Sequence, residues 1–246
     1  MIVYMYDNNF EGLLTCIYEA YYSNIKPEAI YSKLMYEYNL IDNVIEIETN
    51  EKKYLKVYES IENKISKESL KKIYYTYLSE LKESANLIFS YVRMGFKIGK
   101  DIELHKNNDI VLSIDKIAKN VSLERHRFTG LVRFKQVDNI FYSTIEPDNN
   151  IVSLLGEHFK NRLSNEYFII NDAKRDIALV YNKAYYYITK LDDKMLSYLN
   201  NKDDCGDYKN LWKSYFNATN IKERENLKLQ KRNMPYRYWK NLTEYQ

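Results

Sequence analysis

The sequence predicts an α+β fold, with a mainly helical N-terminal half and a C-terminal half of mixed strands and helices. Apolar residues recur at helical spacing through most of the first half, above all from Glu51 to Lys97. After Gly130 the pattern changes to short runs rich in β-branched and aromatic residues, separated by turn dipeptides. No linker rich in Pro, Gly or Ser separates the halves. We therefore expect one continuous unit over 1–246, with one lobe of about 1–127 and a second of about 128–246.

The elements of the N-terminal half follow from local patterns. Alternation predicts strands, helical spacing predicts helices, and Pro27 is expected to begin a short helix because proline suits a first helical turn. In chain order we predict a strand (Ile2–Tyr6), a helix after Asn9, a short helix (Glu28–Tyr36), a strand (Val44–Glu48), a helical stretch (Glu51–Lys97) broken near Ser66 and Ser84, and a helix (Ile110–Arg127).

The C-terminal half is predicted to contain two hairpins, which turn at Asp138-Asn139 and at Asn182-Lys183. Asn150 is expected to cap a helix because its side chain can accept a hydrogen bond from the first turn. In chain order we predict strands (Leu131–Val137, Ile140–Ile145), a helix (Ile151–Leu163), three strands (Phe168–Ile170, Ile177–Tyr181, Tyr185–Ile188), a polar loop with one helical turn (Asp192–Asp207), two helices (Tyr208–Phe216, Lys222–Arg232) and an aromatic tail.

Composition indicates a globular protein, since 45% of the residues are hydrophobic and 29% are charged. The formal net charge is only +3, but residues 1–123 carry 16 basic against 18 acidic groups and residues 124–246 carry 21 against 16. Any surface that binds a polyanion is therefore expected in the second half. Cys16 and Cys205 are too few for a disulfide framework or a cysteine metal site, which is typical of a reduced cytoplasmic compartment. The N-terminus has no signal-peptide pattern, and no apolar run is long enough to span a membrane.

Several common catalytic and cofactor sites are excluded. The segment Met94–Asp101 resembles a phosphate loop, but its glycines are spaced one residue too closely and Asp101 stands where a hydroxyl is needed. The chain has no GxGxxG, HExxH or GxSxG motif. With three histidines in total, a histidine-rich metal centre is not expected either. We predict no metal and no cofactor.

The C-terminal segment Lys231–Gln246 combines aromatic and basic residues around a Met-Pro step. Such a tail is either docked on its own domain or adapted to a polyanion, since aromatic faces stack on bases and cations neutralise phosphates. We expect Trp239 to be buried, with Arg237 and Lys240 left available to a partner.

Two further groups of residues offer site candidates. Glu124-Arg125-His126 ends a helix, and Arg133 follows on a strand; this arrangement could hold a phosphate or simply favour the helix C-terminus. In the second group, Glu146 and Asp148 precede a helix that carries His158 and Arg162. Paired carboxylates beside a histidine suggest general acid–base chemistry, whereas helix capping and a surface pair are the structural alternative.

Together these segments resemble a bacterial family of DNA-metabolism or DNA-repair proteins that is built on a domain of unknown function. The resemblance extends over essentially the whole chain. It is carried by YDNNFEGLLTCIYEAYY (Tyr6–Tyr22), RMGFKIG (Arg93–Gly99), ERHRFTGLVRF (Glu124–Phe134), IEPDNNIVSLLGEHFKNRLSNEYFIIND (Ile145–Asp172) and KRNMPYRYWKNLTE (Lys231–Glu244).

The resemblance implies a role in DNA damage. Members of the family are fused to a uracil-DNA-glycosylase-like domain or accompany a radical-SAM protein that resembles a photoproduct lyase. Two positions depart from the pattern. Tyr236 stands where the family usually has a Lys or Arg, which weakens the phosphate-binding role of the tail. Asn149 stands where some members have His, which weakens a catalytic role for that loop.

We therefore expect a DNA-binding accessory protein that works with a partner repair enzyme. The alternatives are a metal-independent DNA hydrolase or glycosylase-like enzyme, and a protein-interaction module without direct DNA contact. The candidate DNA-binding residues are Arg125, His126, Arg133, Arg162, Arg232, Tyr236, Arg237, Tyr238 and Lys240, with Tyr236 and Tyr238 as stacking groups. The candidate catalytic residues are Glu124, His126, Glu146 and Asp148.

Overall fold

The computed structural model describes residues 1–202 and 208–245, and within them it confirms the predicted α+β class. Cys205 and the end of the polar loop expected to reach Asp207 lie outside the described residues. The chain divides into two compact units, Met1–Ser122 and Leu123–Gln246. No helix in the described ranges is long and apolar enough to cross a membrane.

The first unit combines a small parallel sheet with four helices and part of a fifth. Its elements are β1 (Ile2–Tyr6), α1 (Phe10–Tyr22), β2 (Ala29–Ser32), β3 (Asn43–Ile47), α2 (Glu51–Lys64), α3 (Lys67–Leu78), α4 (Ser84–Ile98), a 3₁₀ helix (Gly99–Leu104) and α5 (Asp109–Leu131), whose last turns belong to the second unit.

Strand β1 is the centre of this sheet, whose order is β2-β1-β3. Its residues from Val3 to Tyr6 are almost fully buried, and Leu13, Leu14 and Ile17 of α1 belong to the same apolar core. Asn9 caps α1 by accepting a hydrogen bond from the Gly12 amide.

The helix predicted over Glu28–Tyr36 is wrong, because Ala29–Ser32 forms strand β2 and pairs in parallel with β1. Ile30 is fully buried beside β1, and its amide donates to the Asn86 side chain. Burial against a distant strand therefore overrides the local signal from Pro27.

The second unit is built on a five-stranded sheet with three helices after it. Its elements are β4 (Lys135–Val137), β5 (Ile140–Ile145), α6 (Val152–Arg162), β6 (Tyr167–Asp172), β7 (Ile177–Tyr181), β8 (Tyr186–Thr189), α7 (Asp193–Asn201), α8 (Tyr208–Thr219), a 3₁₀ turn (Lys222–Arg224), α9 (Leu227–Asn233) and two 3₁₀ segments (Tyr236–Asn241, Thr243–Tyr245).

The sheet order is β4-β5-β6-β7-β8, with β5 and β6 parallel and the other pairs antiparallel. Helix α6 connects β5 to β6 and contacts the sheet with Phe159, which meets Phe134 and Phe168 edge-on. On the opposite face, Leu199 of α7 packs with Val137 and other strand residues. Both faces of the sheet are therefore covered.

Both predicted hairpin turns are confirmed, and each has a residue with positive φ, Asp138 (51°) and Lys183 (76°). Three local predictions are corrected. Helix α6 has Ile151, not Asn150, at its N-cap position. The loop predicted from Asp192 contains the nine-residue helix α7, because the Asp192 side chain caps it by accepting from the Met195 amide. The helix predicted over Lys222–Arg232 divides into a 3₁₀ turn and α9.

Strand β5 is paired along only part of its length on the side of β4, and the C-terminal tail lies near the remaining part. Strand β4 pairs only with Ile140–Tyr142, so Ser143–Ile145 have a strand neighbour on one side alone within the described sheet. The 3₁₀ segment Tyr236–Asn241 contacts β5. The C-terminal tail therefore lies against an edge that would otherwise expose unpaired backbone groups.

Candidate nucleic-acid interface

The buried carboxylate of Glu124, near the end of α5, binds both the loop at 146–150 and the C-terminal tail. It accepts hydrogen bonds from the backbone amides of Asp148 (2.7 Å) and Asn149 (2.9 Å), from Asn149 Nδ2 (2.5 Å) and from the Tyr238 hydroxyl (2.5 Å). Only 4% of Glu124 is exposed, so the low-dielectric surroundings strengthen each of these bonds. Burial, together with the neighbouring Glu124, raises the pKa of Tyr238, and its hydroxyl therefore stays a donor. Glu124 thus fixes the loop at 146–150 and the tail together.

The same loop is held from its other side by Arg175. Its guanidinium donates to the carbonyls of Pro147 (3.1 Å) and Asp148 (2.7 Å) and to the buried carboxylate of Asp172 (2.9 Å). Lys174 adds a bond to the Asp148 carbonyl. The amides of Asp148 and Asn149 are thus bound by Glu124, and the carbonyls of Pro147 and Asp148 by cations, so these backbone groups of the loop are satisfied.

Three cations predicted to bind phosphate are instead paired with carboxylates within the second unit. Arg237 pairs with Asp148, and Lys240 pairs with Glu146 at 2.6 Å. In the third pair, Arg133 binds Glu244 through two nitrogens, at 3.1 and 2.7 Å. The tail is therefore docked on its own unit, and the expectation that Arg237 and Lys240 stay available is not met.

The aromatic residues of the tail differ in exposure. Tyr238 is 3% exposed and packs edge-on against Phe128, so it has no free face for a base and its predicted stacking role is corrected. Trp239, which was expected to be buried, is only partly buried. Its ring stacks on Tyr245 with the ring centroids 4.2 Å apart, and its Nε1 donates to the Met234 carbonyl. Tyr236 is 70% exposed and keeps an accessible ring.

The candidate catalytic residues do not form an acid–base pair. Glu124 and His126 are two residues apart on α5, which places them on different faces: Glu124 is buried and His126 is exposed. Asp148 lies 3.4 Å from the Tyr238 hydroxyl but is paired with Arg237, and Glu146 is paired with Lys240. Glu124, Glu146 and Asp148 are therefore held by structural partners, and His126 does not face any of them as an acid–base partner.

A second group of predicted residues forms a cationic cluster, which we define as Arg125, His158 and Arg162. His158 and Arg162 lie one helical turn apart on the same face of α6. Partial burial and the charges of Arg162 and Arg125 lower the pKa of His158. Arg125 Nε is buried and makes no hydrogen bond. Within the described chain, neither arginine of the cluster forms an ion pair with a carboxylate. Arg232 is also exposed, but it lies outside this cluster on α9.

Arg162 also borders a cavity of about 690 Å³, which we call the aromatic cavity. The size is in the range of ligand-binding sites, and the walls come from α6, β5, α8 and the end of α5. Its cations are Arg133, Arg162 and Lys209, and its aromatic residues are Phe134, Phe141, Phe159, Tyr208, Trp212 and Tyr215. The Arg133 guanidinium lies 4.8 Å from the Trp212 ring centroid, and Trp212 Nε1 donates to Glu244. Arg133 and Glu244 therefore hold the Trp212 side chain in the wall of the cavity.

Residues 82–244 match the model of a family described as a domain of unknown function, DUF4130. This is about two thirds of the chain. The chain belongs to the DUF4130 family. The matched DUF4130 region contains Glu124, the loop at 146–150 and the tail motif, and it begins after the Tyr6–Tyr22 segment on which the resemblance was also based. No curated protein and no solved structure matches the chain.

The contribution of α8 to the aromatic cavity was not predicted from the sequence. Tyr208, Leu211, Trp212 and Tyr215 are spaced i, i+3, i+4 and i+7, which marks an apolar helix face. No residue of α8 is buried, so this face is exposed to the cavity and to solvent. The spacing of these residues is visible in the sequence, but the sequence does not show which surface the helix face lines.

Proposed function

We propose that this DUF4130 chain is a DNA-binding accessory protein of DNA metabolism or repair that works beside a partner repair enzyme. The observation that carries the proposal is the cationic cluster, one member of which, Arg162, borders the aromatic cavity. Arg125 and Arg162 form no ion pair with a carboxylate in the described part of the chain, and their charges disfavour a protonated His158 beside them; a phosphate bound there would be attracted by both guanidinium groups. The repair context and the class of partner, a radical-SAM or uracil-DNA-glycosylase-like protein, rest on the resemblance of the motifs.

The aromatic cavity favours a nucleic acid over the alternative of a protein-interaction surface. A protein-docking surface is expected to be apolar without a basic rim, whereas this cavity has Arg162 and Lys209 on its border. Aromatic rings beside cations are the groups that bind single-stranded or unstacked DNA.

The alternative of a metal-independent hydrolase is less well supported by the geometry. That hypothesis requires two reacting groups that converge with at least one of them free to exchange a proton. The Glu124 carboxylate accepts four hydrogen bonds, and Asp148 is paired with Arg237. We therefore assign Glu124 to the positioning of the loop and propose no reaction for it.

Charge-removing variants test the proposal directly. We expect Arg125→Gln and Arg162→Gln each to weaken binding of a fluorescein-labelled single-stranded oligonucleotide in fluorescence anisotropy at low salt. Loss of one charged phosphate contact corresponds to roughly tenfold in affinity. The matched control is Lys160→Gln on the same helix as Arg162, because Lys160 does not border the aromatic cavity.

The comparison of the three variants distinguishes a specific contact of DNA with the cluster from a non-specific effect of net positive charge. If Lys160→Gln weakens binding as much as Arg162→Gln does, the cluster is not the contact site. If the wild-type protein does not bind the oligonucleotide at low salt, the proposed function is wrong.

A further inference from the structure

A second cavity adjoins the aromatic one at the free edge of β5. Its volume is about 370 Å³, and we call it the polar cavity. Its walls are formed by strand β5, the end of α7, the start of α8 and the tail. The polar groups include the side chains of Asn200, Asn201, Asn241, Thr144, Thr243, Lys135, Lys202 and Lys209. A cavity with this lining suits a ligand that accepts hydrogen bonds and carries negative charge.

Ser143 supplies an independent indication of a ligand. Ser143 is only 2% exposed and borders the polar cavity. Its Oγ makes no hydrogen bond within the described structure. A buried hydroxyl without a partner is unfavourable, so a ligand oxygen placed there would gain a hydrogen bond that the protein alone does not provide.

The two cavities share a wall formed by Arg133, Phe134, Lys209 and Thr243. On one side of this wall are aromatic rings, including the Trp212 indole, and on the other are polar and cationic groups. A nucleotide has the same division, because its base is flat and apolar on its faces while its sugar and phosphate are polar and anionic. The arrangement thus fits the two ends of one ligand.

We propose that the paired cavities form a binding site for one nucleotide unit, with its base among the aromatic residues around Trp212 and its sugar and phosphate in the polar cavity beside Ser143 and Lys209. The nucleotide comes either from a DNA strand, with its base unstacked, or from the free nucleotide pool. The first source rests on the proposed function, and the second does not.

Lys209 is the cation that we assign to the phosphate. Lys202 is already paired with Asp138, and Lys135 donates to the carbonyls of Asn200 and Lys202. Lys209 is exposed, forms no ion pair with a described carboxylate and borders both cavities. Its position in the first turn of α8 places it beside the aromatic face of that helix.

Tryptophan fluorescence offers a direct test, because the chain has only two tryptophans. The variant Trp239→Phe leaves Trp212 as the single reporter, and the reciprocal variant Trp212→Phe is the control. Circular dichroism checks that both variants are folded. Four probes are titrated into each variant: thymidine, inorganic phosphate, thymidine monophosphate and a ten-residue thymidine oligonucleotide.

We expect the oligonucleotide, the monophosphate or both to quench Trp212, and we expect neither to change the Trp212→Phe variant. Quenching by the oligonucleotide alone identifies a DNA strand as the source, and quenching by the monophosphate alone identifies the free nucleotide. Lys209→Gln and Ser143→Ala should each weaken binding, by roughly tenfold for Lys209→Gln, while Lys213→Gln on the same helix should not. Absence of quenching by both phosphorylated probes overturns the proposal.

The failure of this inference can be distinguished from the failure of the proposed function. If labelled DNA binds in anisotropy through Arg125 and Arg162 while Trp212 is not quenched, the nucleotide site is wrong and the DNA-binding function stands. If the monophosphate quenches Trp212 but no DNA binds, the nucleotide site stands and the DNA-binding function is wrong.

Discussion

The hydrogen bond between Tyr238 and Glu124 is predicted to be a major contribution to the stability of the second unit. The hydroxyl lies 2.5 Å from the carboxylate, and both residues are almost fully buried. Replacing Tyr238 by Phe keeps the ring against Phe128 and removes the hydroxyl, whose shortest hydrogen bond is the one to Glu124. The two longer bonds of this hydroxyl, from Arg237 (3.2 Å) and to Asp148 (3.4 Å), are lost with it. Since a hydrogen bond to a charged group contributes about 1.5–3 kcal/mol, we expect Tyr238→Phe to lower the free energy of unfolding by that amount.

Urea unfolding followed by circular dichroism measures the change, with Tyr236→Phe as the matched control. The Tyr236 ring is 70% exposed, so its substitution should change the free energy of unfolding by no more than about 0.5 kcal/mol. The double variant with Glu124→Gln should be less destabilised than the sum of the two single variants, by about 0.5–3 kcal/mol, because the two groups interact directly. If Tyr238→Phe is no less stable than Tyr236→Phe, the central role of the Glu124 network is refuted.

Two further predictions concern helix α6. Gly156→Ala should lower the free energy of unfolding by about 1–3 kcal/mol, because a Cβ at this position would lie 2.5–2.7 Å from atoms of the Tyr186 ring; a stability equal to wild type in urea unfolding would contradict this packing. The pKa of His158 should lie below its ordinary value near 6.5, because of partial burial and then the charges of Arg162 and Arg125. Since the unfolded chain takes up the proton more readily, this residue should lower the stability as pH falls through 6.5 toward the folded pKa. Bound phosphate or DNA should raise the pKa, which an NMR titration of the three histidines can follow; an unchanged His158 pKa in the complex would place the anion elsewhere.

Much of the fold could be predicted because its signals are local. The turns at Asp138 and Lys183 are encoded by turn residues within a few positions, and strand β1 is a short apolar run that ends at the polar residues Asp7–Asn9. The strand β2 could not be predicted in this way, because Ile30 is in a strand only through its pairing with β1 across the sheet. Local propensity is overridden where burial depends on a distant partner.

The candidate site was predicted in part. The sequence pointed to Arg125, Arg162 and the tail as charged segments, and the structure brings Arg125 and Arg162 together with His158. The sequence alone could not show that Arg237 forms an ion pair with Asp148, because the two residues are far apart in the chain. The proposed contact of Ser143 could not be predicted either, since only the structure shows that this serine is buried and that its Oγ has no hydrogen-bond partner in the described residues.

The salt dependence of DNA binding tests the central claim most directly. Anisotropy is measured with single-stranded, duplex and uracil- or photoproduct-bearing oligonucleotides over a series of salt concentrations. If Arg125 and Arg162 both contact phosphates, the logarithm of the binding constant for a single strand should fall with the logarithm of salt concentration with a slope of about −1.4 or steeper. The variant with both arginines replaced by Gln should have a slope shallower by about that amount. A wild-type slope near zero, or a slope that the double variant leaves unchanged, would contradict the account.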